Sequence, residues 1–171
     1  MIPIPAIDIQ GGKCVRLQKG DLSSTKIYFE KPVDAATHWI KEGTKKLHLV
    51  DLDGAKSGKP ENLEYVLEIK EKFPDVNLQL GGGVRDLETL DLIFKSGVDD
   101  VILGSIAIKD KELFTKACIT FPKKIILGID AKNGFLAAEA WTEASKLSAS
   151  DMISSYKELP IKSIIYTDIN K

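Results

Sequence analysis

The chain repeats itself. An apolar run ending Ile7-Asp8-Ile9 is matched far downstream by Ile129-Asp130-Ala131. A second, ending His48-Leu49-Val50-Asp51-Leu52, is matched by Ile165-Tyr166-Thr167-Asp168-Ile169. Between them, apolar runs alternate with amphipathic segments from end to end. The runs are short, continuous and rich in Val, Ile and Leu, as strands buried on both faces are. Strand–helix alternation with short connections means a parallel sheet. An open doubly wound sheet and an eight-fold parallel β/α (TIM) barrel both give this pattern. Here the first strand matches the fifth and the second matches the sixth, as in a barrel built from two four-unit halves. The expected fold class is therefore α/β, with residues 1–171 forming a single partial β/α barrel domain of about six units. Such a barrel takes about 250 residues, and no sequence is present for strands seven and eight. Strands one and six would then be exposed edges, a self-pairing risk.

The expected strands lie near 4–9, 46–51, 77–80, 100–103, 124–129 and 162–167. Between the first two comes a polar segment, 13–26, with room for a short hairpin. Helices are expected near 32–42, 62–72, 86–97, 111–120 and 149–158. Pro32 starts the first, Gly43 stops it, and Asp86 caps the third. Gly54-Ala55-Lys56-Ser57-Gly58-Lys59-Pro60 looks like a nucleotide-binding P-loop but has three residues between its glycines instead of four, and Pro60 replaces the Ser or Thr that holds magnesium. It is expected to be a loop leading into the second helix.

Net charge is −1 and charged residues make up 29% of the chain, so there is no bulk electrostatic case for nucleic acid or an anionic membrane. No apolar run approaches the ~20 residues of a membrane span, and the N-terminus lacks the pattern of a secretory signal. Cys14 and Cys118 have neither metal nor redox spacing and fit reduced thiols; the expected location is the cytoplasm. No cluster has the spacing of metal ligands.

Of the 24 basic residues only Arg16 and Arg85 are arginines, and both follow expected strands. Arginine suits bidentate recognition of phosphate or carboxylate. Gly81-Gly82-Gly83-Val84-Arg85-Asp86 joins a strand to a helix, where glycines let backbone N–H groups approach an anion. Gly104-Ser105, at the tip of the next strand, adds a close-approach glycine and a hydroxyl; together they make a phosphate cradle. Asp8 and Asp130 would face each other across a closed barrel, one as base and one as acid. The residues leave open which is which. Thr167-Asp168 can hydrogen-bond a reacting oxygen or orient a carboxylate, and Trp141 offers a stacking surface for a planar ring. His38 and His48 are expected to be core or surface residues.

The motifs Ile4-Pro5-Ala6-Ile7-Asp8-Ile9, Gly11-Gly12-Lys13-Cys14-Val15-Arg16-Leu17, Val50-Asp51-Leu52-Asp53-Gly54-Ala55, Gly81-Gly82-Gly83-Val84-Arg85, Gly104-Ser105 and Tyr166-Thr167-Asp168-Ile169 resemble those of the histidine-biosynthesis ProFAR isomerase family. The resemblance covers all 171 residues. It implies the eight-fold barrel, a small-molecule substrate with a phosphate at each end, and an Amadori rearrangement of aminoaldose to aminoketose without a cofactor. It also implies roles: Asp8 as base, Asp130 as the acidic residue opposite, Thr167 assisting, and Arg16 and Trp141 near the middle of the substrate. Gly82, Gly83, Arg85, Gly104 and Ser105 match one phosphate site. The family motif continues past Lys171 into an Asp-Gly whose aspartate is a candidate acid, and the second phosphate site belongs to strands seven and eight. The 171-residue chain alone is accordingly expected to be inactive or weak and to self-associate, whereas the full-length form is expected to be a monomer. The related cyclase subunit that makes the imidazole ring shares the barrel and the opposed aspartates, but the surroundings of Asp8 and Arg16 favour the isomerase. A different class of function is a non-catalytic, sugar-phosphate-binding half-barrel.

Overall fold

Strands form where the sequence runs apolar. The computed structural model, which describes residues 1–18, 21–137 and 147–169, divides them between two units, Met1–Val101 and Ile102–Lys171. In the first, β1 (Ala6–Gln10) turns through Gly11-Gly12 into β2 (Lys13–Gln18), which pairs with β3 (Asp21–Phe29). Next come α1 (Pro32–Lys41), β4 (Lys46–Asp51), α2 (Leu52–Ser57), α3 (Leu63–Lys72), β5 (Asn77–Gly81), α4 (Leu87–Lys95) and β6 (Asp100–Leu103), which begins in this unit. The strand order is β3-β2-β1-β4-β5, with β1, β4 and β5 parallel and the two hairpin pairs antiparallel.

Register sorts the side chains into rows. Ile7, Leu49 and Leu80 are neighbours across the parallel strands, as are Asp8, Val50 and Gly81, and Ala6, His48 and Gln79. Successive side chains point to opposite faces of a strand. Ile7, Leu49 and Leu80 therefore share one face, at 0–1% exposure. Asp8, His48 and Gln79 share the other. The sequence pattern implied strands buried alike on both faces; β1 and β4 instead alternate buried with half-buried residues. The physical reason is that Ala6, Asp8, Gln10, Lys46 and His48 occupy every second position of those runs.

The helix signals work as expected. Pro32 opens α1, and Gly43 follows its C-cap at φ 94°. Asp86 caps α4 by accepting from the Thr89 N–H at 2.7 Å, and that bond holds its carboxyl below the ordinary value.

The second unit contains the end of β6, then α5 (Ser105–Lys109), α6 (Lys111–Thr120), β7 (Ile125–Lys132), β8 (Phe135–Leu136), α7 (Ala149–Ser155) and β9 (Ser163–Asp168). β7 pairs parallel with β9 and antiparallel with β8. Its core holds Phe114, packed 4.6 Å from the Tyr156 ring, and the Tyr156 hydroxyl donates to the Ala107 carbonyl at 2.7 Å.

The fold is mixed α/β with a parallel-dominated sheet. Several boundaries differ from the sequence expectation. β1 starts at Ala6 rather than Ile4, beyond Pro3 and Pro5, which have no N–H for a ladder. The expected loop after β4 contains α2, and α5 follows Gly104 directly. β7 runs on to Lys132, because the β8 hairpin extends it, and α7 ends at Ser155 rather than near residue 158. Among the described residues, no helix is long and apolar enough to cross a membrane.

Candidate active site

Asp8 is the middle residue of β1, half-buried between Val15 of β2 and Val50 of β4. It is not the last residue of its strand, since the hairpin pairs Gln10 with Lys13 and carries the strand past it. Burial pushes its carboxyl up from the ordinary 3.8. A carboxylate raised in this way is a stronger base. The buried Cys14 thiol, nearby on β2, is pushed up to about 11 by burial first and then by the charge of Asp8. It is a protonated thiol at neutral pH.

On the face shared with Asp8, the Gln79 amide donates to His48 Nδ1 at 2.7 Å. An amide NH2 only donates, so the neutral ring carries its proton on Nε2. Burial, and next the charge of Lys46, hold the His48 imidazolium below the usual 6.5. Lys46 Nζ in turn lies 3.1 Å from the fully buried carboxylate of Asp100. This polar face was not anticipated. The sequence signal was present as polar residues at alternate positions, Lys46 and His48 on one strand and Asn77 and Gln79 on the next.

The Gly81–Arg85 segment leaves the sheet in the row of Asp8. With parallel strands ~4.8 Å apart, Gly81 lies about 10 Å from Asp8, two strands over. Gly82 and Gly83 have φ of 101° and 77°. A Cβ on Gly82 would collide with the Asp51 carbonyl, and one on Gly83 would come within 2.7 Å of the Lys59 carbonyl oxygen. The segment thus rests on the backbone of the β4–α3 connection, and only glycine permits that approach. Arg85 is exposed, with its guanidinium against the Cα of Gly58.

That connection is organised by Asp51, which is 1% exposed. Its Oδ1 accepts from Gly54 N–H at 2.8 Å and Asn62 Nδ2 at 2.7 Å; its Oδ2 accepts from Glu61 N–H at 2.8 Å and Asn62 N–H at 3.0 Å. The Asn62 amide also donates to Asp53 Oδ2 at 2.8 Å and accepts from Gly12 N–H at 3.2 Å. Asp53 Oδ2 accepts from Gly11 N–H at 2.7 Å. Asn62 was not singled out from the sequence, because nothing local marks a polar side chain for burial.

In the second unit, Asp130 and Thr167 are register partners across β7 and β9, as are Ala131 and Asp168. Asp130 and Thr167 are exposed, and Asp168 is half-buried. Ser105 opens α5 and is exposed; Gly104 precedes it, a Cβ there reaching 3.5 Å from the Gly128 carbonyl oxygen. Arg16 is exposed on β2, next to Val15. The first unit therefore brings Asp8 and the Gly82–Gly83–Arg85 segment to one level of the sheet, and the second brings Asp130 beside Thr167. Trp141 lies outside the described residues. Among the described residues, no group of His, Cys, Asp or Glu is arranged to hold a metal.

The family model described as histidine biosynthesis protein matches residues 2–171. Curated relatives named 1-(5-phosphoribosyl)-5-((5-phosphoribosylamino)methylideneamino)imidazole-4-carboxamide isomerase are similar over all or nearly all of this chain, which spans about 70% of their length. The one from Ectopseudomonas mendocina is 43% identical over 171 residues, covering 100% of this chain and 70% of the relative. The one from Marinobacter nauticus is 44% identical over 169 residues, 99% of this chain and 69% of the relative. The one from Vesicomyosocius okutanii is 41% identical over 169 residues, again 99% and 70%.

Proposed function

The chain belongs to the histidine biosynthesis protein family, and from that premise we propose that it is an isomerase acting on ProFAR, the substrate in its relatives' name. The reaction is an Amadori rearrangement on the polar face of a β/α barrel. The observation that carries this reading is Asp8: a half-buried carboxyl with a raised pKa, in one row of the sheet with the glycine segment that ends in Arg85.

The chemistry follows from those groups. An acid, Asp130 in this reading, protonates the ribose ring oxygen; the C1′–O bond breaks and leaves a protonated Schiff base. Asp8 removes the C2′ proton, and the electron pair shifts toward the nitrogen to give an enolamine. Tautomerisation returns a proton to C1′ and leaves the C2′ ketone. Protons and electrons balance within the substrate and the two carboxyls, so no redox partner enters. Asp8 suits the base role because burial raises the proton affinity of its carboxylate.

Gly82, Gly83 and Arg85 grip one phosphate, with Gly104 and Ser105 completing the cradle. Thr167 hydrogen-bonds beside Asp130, Asp168 orients the neighbouring carboxyl, and Arg16 and Trp141 hold the middle of the substrate. The full-length form works as a monomer in the cytoplasm on this small-molecule substrate alone, whereas the 171-residue chain by itself has little or no turnover and self-associates. The test is turnover of ProFAR by the purified protein, with a parallel assay on its ketose product plus ammonia. Isomerisation without imidazole-ring formation supports the reading; ring formation would assign the protein to the cyclase reaction instead.

A further inference from the structure

We propose that Asn62 is a positioning residue for this isomerisation, holding the hairpin beside Asp8 and the phosphate segment in one geometry. The inference rests on the isomerase reading above and adds a residue to it. Three contacts carry it. First, Gly11 and Gly12 form the two-residue turn of the β1–β2 hairpin, with φ of 55° and 74°, and begin three residues after Asp8. Both positive values fit the tight turn that a two-residue hairpin needs. Their N–H groups bind side chains of the β4–α3 connection, Gly11 to Asp53 and Gly12 to Asn62.

Second, Asn62 is 3% exposed and uses its whole amide: the oxygen accepts from Gly12, and the NH2 donates to both Asp51 and Asp53. Its orientation is fixed by its partners, since reversing the amide would set NH2 against an N–H and oxygen against two carboxylates. Third, the same Asp51 orders Gly54, Glu61 and Asn62, and its own carbonyl is the surface on which Gly82 sits. One amide therefore ties the strand of the base to the loop of the phosphate.

What the tie prevents is also visible. A surface cavity of ≈ 620 Å³ opens beside the turn, lined by Gly11, Gly12, Asp53, Asn62 and Tyr65 among others. Freed from Asn62, the turn keeps only the Gly11–Asp53 bond and its packing on Tyr65, and the cavity leaves it room to shift. Misplacement of a reacting group by ~1 Å costs on the order of 10²-fold in rate.

The test compares wild-type protein with Asn62→Ala and Asn62→Asp on ProFAR, with thermal unfolding as a check on folding. Asn62→Ala is expected to fold and to lose about 10²-fold in kcat/KM. Asn62→Asp keeps the shape but sets a third carboxylate against Asp51 and Asp53, with Lys56, Glu61 and Glu64 as the other charges around the cavity. It regains a donor only when protonated. Its activity relative to wild type should therefore rise as pH falls from about 8 to about 5.5. A loss of packing alone gives a ratio that does not change with pH.

Wild-type kinetics in Asn62→Ala, a flat ratio in Asn62→Asp, or failure of both variants to fold would each overturn the proposal. Absence of turnover by the wild type in its full-length form as well would instead overturn the isomerase reading, and the proposal with it. The two failures are thus told apart by the wild-type arm.

Discussion

Asp130 and Thr167 are register partners in the parallel pair β7–β9, so their side chains leave the same face of the sheet side by side. A hydroxyl at that position can hydrogen-bond a carboxyl or the oxygen it protonates. Thr167→Val keeps the shape and the β-branched backbone preference but removes the hydroxyl. We expect kcat to fall about 10-fold, the worth of one hydrogen bond of ~1–1.5 kcal/mol, with KM little changed. Thr167→Ser should retain most of the activity. Steady-state kinetics on both variants checks this; equal losses in the two would point to packing instead of the hydroxyl.

The buried position of Asp8 has a stability consequence of definite sign. Its folded pKa lies above the ordinary 3.8, so the stability it contributes is present below 3.8 and is lost as pH rises through the folded value. At neutral pH the native state holds a charge it would rather not bury. Asp8→Asn should therefore raise Tm at pH 7, with the gain shrinking as pH approaches 3.5. Unfolding curves across that range measure it. A lower Tm at pH 7 would mean that the carboxylate is stabilised by partners.

Asp51 makes the opposite prediction. Its carboxylate accepts four hydrogen bonds from three residues while 1% exposed. Asp51→Ala would strand those donors, each at a cost of ~1–3 kcal/mol. Urea unfolding should show a loss of about 3 kcal/mol or more, against the few tenths expected for a surface aspartate such as Asp75.

Gly82→Ala tests the phosphate segment. At φ 101°, with the Asp51 carbonyl against its Cα, this position cannot take a side chain without moving the loop. KM for ProFAR should rise at least ~10-fold, equivalent to ~1.4 kcal/mol of lost binding, with a smaller effect on kcat. An unchanged KM would remove this segment from the phosphate site.

Much of this was legible in the sequence. The bounds of β4, β6 and α6 match the expectation because each is an uninterrupted apolar or amphipathic run closed by Gly, Asp or Phe-Pro. Asp86 was recognisable as a cap because capping is a local interaction. By contrast α2, with 6 residues, and α5, with 5, are too short to show a helical period. α2 also contains Gly54, a poor helix former, and owes its first turn to the Asp51 carboxylate. The Asp51–Asn62–Gly12 tie joins residues up to 50 positions apart, and a single sequence carries no signal for contacts of that kind. Asp8 and Asp130 were found because the repeat marked them; Asn62 lies outside the matched runs.

The central claim is that Asp8 is the base. The direct measurement is kcat for the conversion of ProFAR by wild type and by Asp8→Asn, with folding of the variant verified first. The account predicts a fall of about 10²–10⁴-fold in a variant that remains folded, the usual worth of a positioned general base. Turnover within a few-fold of wild type in a folded Asp8→Asn protein would contradict it.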